Sequence, residues 1–275
     1  MELSKTVLFS DLDGTLFDSR GNIAPEDREA IRWYTDNGGL FAVSTGRQPQ
    51  NALRHLPGIV LNAPCVVLNG AAIYDFDREE YSHVHTLQGD TVRRLLRRAM
   101  AEIPGLDLQV YTRGGIFYVT PEETAQPQLL GLHRPCSFVQ WADLEADPWI
   151  KCLVYAPPEH EKALGELLSS GEGDGYRCVP GTTDVGGRLT YFELMPPGIS
   201  KGSALDALRS HPALAGRTFF AVGDYWNDYE LLRAADVPVA PENAIPEIRE
   251  LCRYVTASNN DHAVAHILRE LIPGL

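Results

Sequence analysis

The chain predicts an α/β fold: a doubly wound parallel sheet interrupted by an inserted α+β block. Three observations carry this expectation. Short apolar runs alternate with amphipathic helical stretches at both ends of the sequence, hairpin-like patterning replaces that rhythm in the middle, and acidic or hydroxyl residues stand where the outer strands end.

Near the start, Lys5 to Ser10 is β-rich, Pro25 to Asn37 has helical period with Gly38 and Gly39 as its stop, and Leu40 to Ser44 reads as the next strand. A helix at about Gln48 to Leu56 and a strand at Cys65 to Leu68 continue the alternation, which predicts a parallel sheet with helices on both faces and right-handed crossovers. After about His83 the pattern changes. A helix from Asp90 to Glu102 leads into Leu106 to Tyr111, then Arg113-Gly114-Gly115 and Ile116 to Thr120, a hairpin pattern. Ile150 to Tyr155, a helix from Glu159 to Ser169, Tyr176 to Val179 and Leu189 to Leu194 extend this block, with loops such as Gly171 to Gly175 between elements.

From Lys201 the first rhythm resumes with a helix, a strand at Thr218 to Val222, a helix at Asn227 to Ala234 and a strand at Val237 to Ala240. Helices at Ala244 to Leu251 and near Ala263 to Leu271 close the chain. Residues 1–83 and 197–275 therefore form one expected domain and 84–196 an inserted one. The loop near Tyr81 to Thr86 serves as the outgoing linker and Pro196-Pro197-Gly198 as a stiff return.

At 275 residues and 44% hydrophobic content the chain has material for a substantial core. The 37 acidic against 24 basic residues leave a formal charge of −13, which repels a polyphosphate backbone and excludes nucleic acid as the first expectation. No stretch approaches the roughly 20 apolar residues of a membrane span, and Asp11 and Asp13 follow the first apolar run at once. The five cysteines are scattered and lack metal-site or redox spacing, so reduced thiols in a cytoplasmic protein are expected.

The strongest chemical signal is Asp11-Leu12-Asp13-Gly14-Thr15, directly after the first strand, at the carboxyl edge where open parallel sheets place ligands. In extended chain, residues i and i+2 share a face, so both carboxylates can address one small site. One can attack phosphorus while the other protonates the leaving oxygen and then activates water. Taken by itself the segment also reads as an ordinary strand-to-turn sequence. Gly223-Asp224-Tyr225-Trp226-Asn227-Asp228 brings further acids to the same edge. Clustered carboxylates resist ionisation unless a hard cation neutralises them, and Mg²⁺ prefers such oxygen ligands; a helix cap with solvated acids is the plainer alternative. Ser44-Thr45-Gly46-Arg47 offers a hydroxyl, backbone N–H groups and a cation to a phosphoryl oxygen. Lys201 adds a single ammonium after the return linker.

In this order the motifs resemble the haloacid dehalogenase (HAD) superfamily of phosphohydrolases, specifically its Cof-like branch with a type IIB (C2B) cap. The resemblance runs through Asp11 to Leu16, Ser44 to Arg47, Asn69-Gly70-Ala71, Glu193 to Gly202 and Gly223 to Asp228, and through Ala234 to Asn243 with Val255 to Asn259. It implies that Asp11 is the nucleophile, forming an aspartyl-phosphate, and that Asp13 is the general acid and then base. It further implies that Asp11, the Asp13 carbonyl and Asp224 ligate Mg²⁺, with Asp228 supporting the metal shell and Asn227 nearby. Thr45 and Lys201 would bind the transferring phosphoryl group, and Gly14, Arg47 and Asn69 would line the site.

Two departures from the family pattern stand out. Tyr225 and Trp226 follow Asp224 where the family has a small residue, and Asn260-Asp261-His262 replaces an acidic residue followed by Asp-Gly. Among other features, Arg93, Arg94, Arg97 and Arg98 read as a solvated helix face, Trp141 and Trp149 as packing residues, and His262/His266 as helix surface. The expected protein is a Mg²⁺-dependent phosphatase of small phosphorylated metabolites, sugar phosphates among them. A phosphomutase and a catalytically silent phosphometabolite-binding protein are the alternatives.

Overall fold

The computed structural model describes residues 1–120, 136–144, 147–171, 173, 175–184 and 188–275. In chain order the strands of the first segment are β1 (Thr6–Ser10), β2 (Leu40–Val43), β3 (Cys65–Val67), β4 (Ala72–Asp75) and β5 (Glu80–Val84), with helices α1 (Pro25–Asp36) and α2 (Pro49–Arg54) between the early ones. The middle segment holds α3 (Gly89–Glu102), β6 (Asp107–Thr112), β7 (Gly115–Tyr118), β8 (Ser137–Phe138), β9 (Lys151–Ala156), α4 (Glu161–Ser169), β10 (Arg177–Asp184) and β11 (Arg188–Met195). The final segment holds α5 (Lys201–Leu208), β12 (Thr218–Val222), α6 (Tyr229–Ala234), β13 (Val237–Pro241), α7 (Pro246–Leu251), β14 (Tyr254–Thr256) and α8 (Ala263–His266), with further helical turns to Gly274.

Backbone contacts divide the chain into two compact units, Met1–His83 with Ile199–Leu275, and Val84–Gly198. The first is built on a five-stranded sheet in the order β14-β13-β12-β1-β2, all neighbours parallel. β1, flanked by β12 and β2, is buried at all five positions, as a strand covered on both faces must be; that is why Val7, Leu8 and Phe9 follow one another without alternation. Phe9 and Phe219 stack across β1 and β12 with ring centroids 5.7 Å apart. Helix α1 packs with α8, and α5 packs with α6, which in turn meets α7.

Several elements differ from the sequence expectation. β3 joins the parallel sheet only through an isolated bridge between Ser44 and Val66; it pairs antiparallel with β4 in a separate three-stranded sheet that β5 completes. The expected outgoing linker near Tyr81 is thus largely strand, too exposed along its length to carry an apolar signal. β14, three residues long, was equally invisible.

The second unit has its own apolar core, in which Leu96, Val110, Trp149, Val154 and Leu168 meet beneath a six-stranded sheet ordered β10-β11-β9-β6-β7-β8. Arg93 is not solvated as expected: its guanidinium donates to the Asp147 carbonyl at 2.8 Å and lies 4.9 Å from the Trp149 ring centroid. Of the loop Gly171 to Gly175, residues 172 and 174 lie outside the described residues. The opposite face of the sheet is polar yet buried. Gln109 donates to the Tyr118 hydroxyl at 2.7 Å, and Lys151 pairs with Glu193 at 2.5 Å while lying 4.8 Å from the Tyr111 ring centroid.

Removing one partner of a buried ion pair strands the other charge, at a cost of about 3–5 kcal/mol. Glu193→Leu is therefore expected to lower unfolding stability by that amount in urea titrations. The double substitution Lys151→Met/Glu193→Leu should recover most of the loss, because two apolar groups replace two desolvated charges.

Candidate active site

The site grows from the carboxyl ends of β1, β2 and β12. Asp11 continues β1 by one residue, its N–H donating to the Val222 carbonyl at 2.9 Å. The chain then leaves the sheet through a wide turn over Leu12–Leu16, closed by Phe17 N–H to the Leu12 carbonyl at 2.8 Å. Gly14 makes that departure possible on two counts. Its φ is +78°, and a Cβ there would lie 2.5 Å from an Asp224 carboxylate oxygen. Thr15 then donates to Asp224 Oδ1 at 2.8 Å, tying the first loop to the last.

Lys201 is delivered by a close backbone approach. Gly70, at φ +93°, lies against the start of α5 so tightly that a Cβ would meet the Ser200 carbonyl oxygen at 2.0 Å. Ser200 caps the helix, accepting from Ser203 N–H at 3.1 Å, so Lys201 enters with its backbone fixed. Its ammonium, with a side chain 0% exposed, donates to Asp11 Oδ1 at 2.7 Å and to Asp228 Oδ1 at 2.6 Å. Asp228, also fully buried, turns its other oxygen to the backbone N–H groups of Asp224 and Tyr225 at 3.2 and 3.4 Å.

Asp11, Asp224 and Asp228 bring carboxylate oxygens within 4.8 Å of one another. Asp11 and Asp228 share one ammonium while the half-buried Asp224 makes no direct contact with it, and the excess of negative charge raises the carboxyl groups of Asp11 and Asp224. Burial, then the charge of Asp228, pushes Asp224 up to about 6; the same causes raise Asp11 well above the usual carboxylate range despite Lys201. Burial opposes the Lys201 charge, but Asp11 and Asp228 outweigh it and hold the ammonium protonated. An all-oxygen donor set with excess negative charge suits a hard divalent cation.

The remaining sequence candidates fall around this group. Thr45 is buried at the end of β2, its hydroxyl accepting from Arg47 N–H at 3.1 Å. Arg47 grips Asp13 through two hydrogen bonds of 2.8 and 2.6 Å, and is itself held by Asn51 at 3.1 Å and the Phe17 ring at 5.4 Å. The Asp13 side chain is 59% exposed and lies outside the three-carboxylate group. Asn69, in the left-handed region at φ +54°, donates its backbone N–H to Thr45 O at 3.0 Å. Asn227 is exposed.

Two asparagines contribute that motif reasoning left without a role. Asn243 donates to the Gly14 carbonyl at 2.8 Å and accepts from Asn259 N–H, while Asn259 donates to the Phe17 carbonyl at 2.9 Å. They fasten the loop after Asp11. Their signal was their place in the tail segments that resemble the family, although nothing in those segments points to a loop more than 200 residues away.

The family described as haloacid dehalogenase-like hydrolase matches residues 8–268, and the chain belongs to it. The phosphatase YwpJ of Bacillus subtilis is 27% identical, over 95% of this chain and 98% of that protein. The same organism's 5-amino-6-(5-phospho-D-ribitylamino)uracil phosphatase YwtE is 26% identical, over 96% and 97%. Among solved structures, TM0651 from Thermotoga maritima superposes with a TM-score of 0.80 at 23% identity, covering 96% of each chain.

A cation must displace protons from this site. Asp224 titrates higher folded than unfolded, so the cation-free protein gains stability as pH falls through about 6 and loses it as pH rises. A bound divalent cation reverses that balance. The rise in melting temperature on adding magnesium chloride is therefore expected to be larger at about pH 8 than at about pH 5, as followed by scanning fluorimetry.

Proposed function

We propose that the protein is a Mg²⁺-dependent phosphatase that hydrolyses small phosphorylated metabolites through an aspartyl-phosphate on Asp11. One observation carries the reading: a fully buried lysine bridges Asp11 and Asp228, with Asp224 close enough for all three acids to share one cation. The relatives named as phosphatases over nearly their whole length support it. Among the described residues no helix is long and apolar enough to cross a membrane.

In this reading Asp11, Asp224 and the Asp13 carbonyl hold the cation, with Asp228 and Asn227 behind them. The bound cation supplies positive charge to the phosphoryl oxygens and favours the ionised form of Asp11. Lys201 occupies Asp11 Oδ1, so Oδ2 is the atom that attacks phosphorus. The P–O ester bond breaks as the new Asp11–phosphorus bond forms, and the leaving oxygen takes the proton of the Asp13 carboxyl. Asp13, now ionised, accepts a proton from water, which attacks phosphorus and releases phosphate and free Asp11. Thr45, Lys201 and Asn69 bind phosphoryl oxygens. A phosphate dianion competes with Asp13 for the Arg47 guanidinium, which places Arg47 as a substrate contact.

Phosphate release from p-nitrophenyl phosphate tests the reading. Release should require Mg²⁺, stop on chelation, and fall by at least about 10³-fold in Asp11→Asn. A folded native protein that releases no phosphate with Mg²⁺ present would overturn it.

A further inference from the structure

Tyr225 and Trp226 are 54% and 53% exposed, and among the described residues no other aromatic side chain is so open. The other three tryptophans, Trp33, Trp141 and Trp149, are half-buried or buried. Scattered single hydrophobics on a surface need no explanation, but two adjacent large aromatic rings left in water are unusual.

Their position is fixed rather than incidental. Asp228 N–H donates to the Tyr225 carbonyl at 2.9 Å, and Asp228 Oδ2 accepts from Asp224 and Tyr225 N–H, so the turn bearing both rings is closed by a residue that Lys201 anchors. Trp226 stands two residues beyond Asp224, which places their Cα atoms no more than about 7 Å apart. It is also backed. The Tyr229 ring lies 6.2 Å from Trp226 at 38°, and the Arg233 guanidinium lies 6.0 Å from the Tyr229 ring centroid, forming a column whose outer member is open to solvent.

We propose that Tyr225 and Trp226 form a stacking platform that selects phosphate monoesters whose leaving group carries a planar unsaturated ring. The proposal rests on the phosphatase reading above. With the phosphoryl group at Asp11, a leaving group joined by a short linker extends past Asp224 onto these rings. An aromatic face stacks on them through offset or edge contacts that a saturated ring of equal size does not make.

Benzyl phosphate and cyclohexylmethyl phosphate test this directly, since they share charge, size and linker and differ in the planarity of the ring. The wild-type protein is expected to favour benzyl phosphate in kcat/KM, and Trp226→Ala to reduce that preference about 10-fold. Tyr225→Ala should reduce it less, and Trp226→Phe should keep it. Equal kcat/KM for the two esters in the wild type, or a preference untouched by Trp226→Ala, overturns the platform and leaves the phosphatase reading standing. The platform also falls if Trp226→Ala lowers hexose phosphate hydrolysis in step with that of benzyl phosphate, which would mark a surface for sugar faces. Wild-type self-association in sedimentation that Trp226→Ala abolishes would overturn it too, marking a contact between copies. A wild-type protein that releases phosphate from none of these esters overturns both readings.

Discussion

One buried ammonium organises this protein. Lys201 has no exposed side-chain surface and two carboxylate partners, one on the loop after β1 and one in the turn that follows the neighbouring β12. A carboxylate buried without such a partner would be protonated or would force the loop open. Other features serve this contact. Gly70 exists so that α5 can begin where it does, Ser200 fixes the helix that carries the lysine, and Asp228 spends its second oxygen on the backbone next to Asp224. The third acid has no share of the ammonium among these contacts, and its raised pKa records a charge deficit that a divalent cation can fill.

A second layer of restraint holds the loop after Asp11. Thr15 binds Asp224, Asn243 binds the Gly14 carbonyl, and Asn259 binds the Phe17 carbonyl. Each is a hydrogen bond between segments that meet only in the folded chain, and each is made to backbone or to an acid of the site. The acids therefore sit on loops without inheriting the mobility of loops. Arg47 is arranged differently, since its strongest contact is to a half-exposed carboxylate that an anion can displace.

How much of this was legible in the sequence varies with what burial does to a residue. The parallel strands were readable because burial on both faces demands uninterrupted apolar runs, as in Thr218–Val222. The acids at their ends were readable because a charged residue directly after such a run has few structural reasons to be there. Asp228 was harder: its letter suits a helix cap equally well, and only the fold reveals that it is buried against Lys201. The polar face of β6, β9 and β11 was not legible at all. Lys151 and Glu193 look like outward residues of half-buried strands, and no local pattern distinguishes a solvated charge from one buried with its partner. β5 and β14 escaped for the opposite reason, being short and too exposed to show an alternation.

The 190 residues that separate Lys201 from Asp11 bear on how the chain is made. At the roughly 5–20 residues per second of synthesis, β1 emerges long before β12, its partner along one edge, has been translated. Until then β1, apolar from Val7 to Phe9, carries along that edge an unpaired row of backbone groups, the kind of edge that templates association between chains. The middle unit, with its own core, can gather itself during that interval, while the first strand waits for β12. Asp11 waits with it for the cation that makes its burial tolerable. The acids are thus brought together only after the middle unit has been translated, when β12 and the turn that follows it arrive.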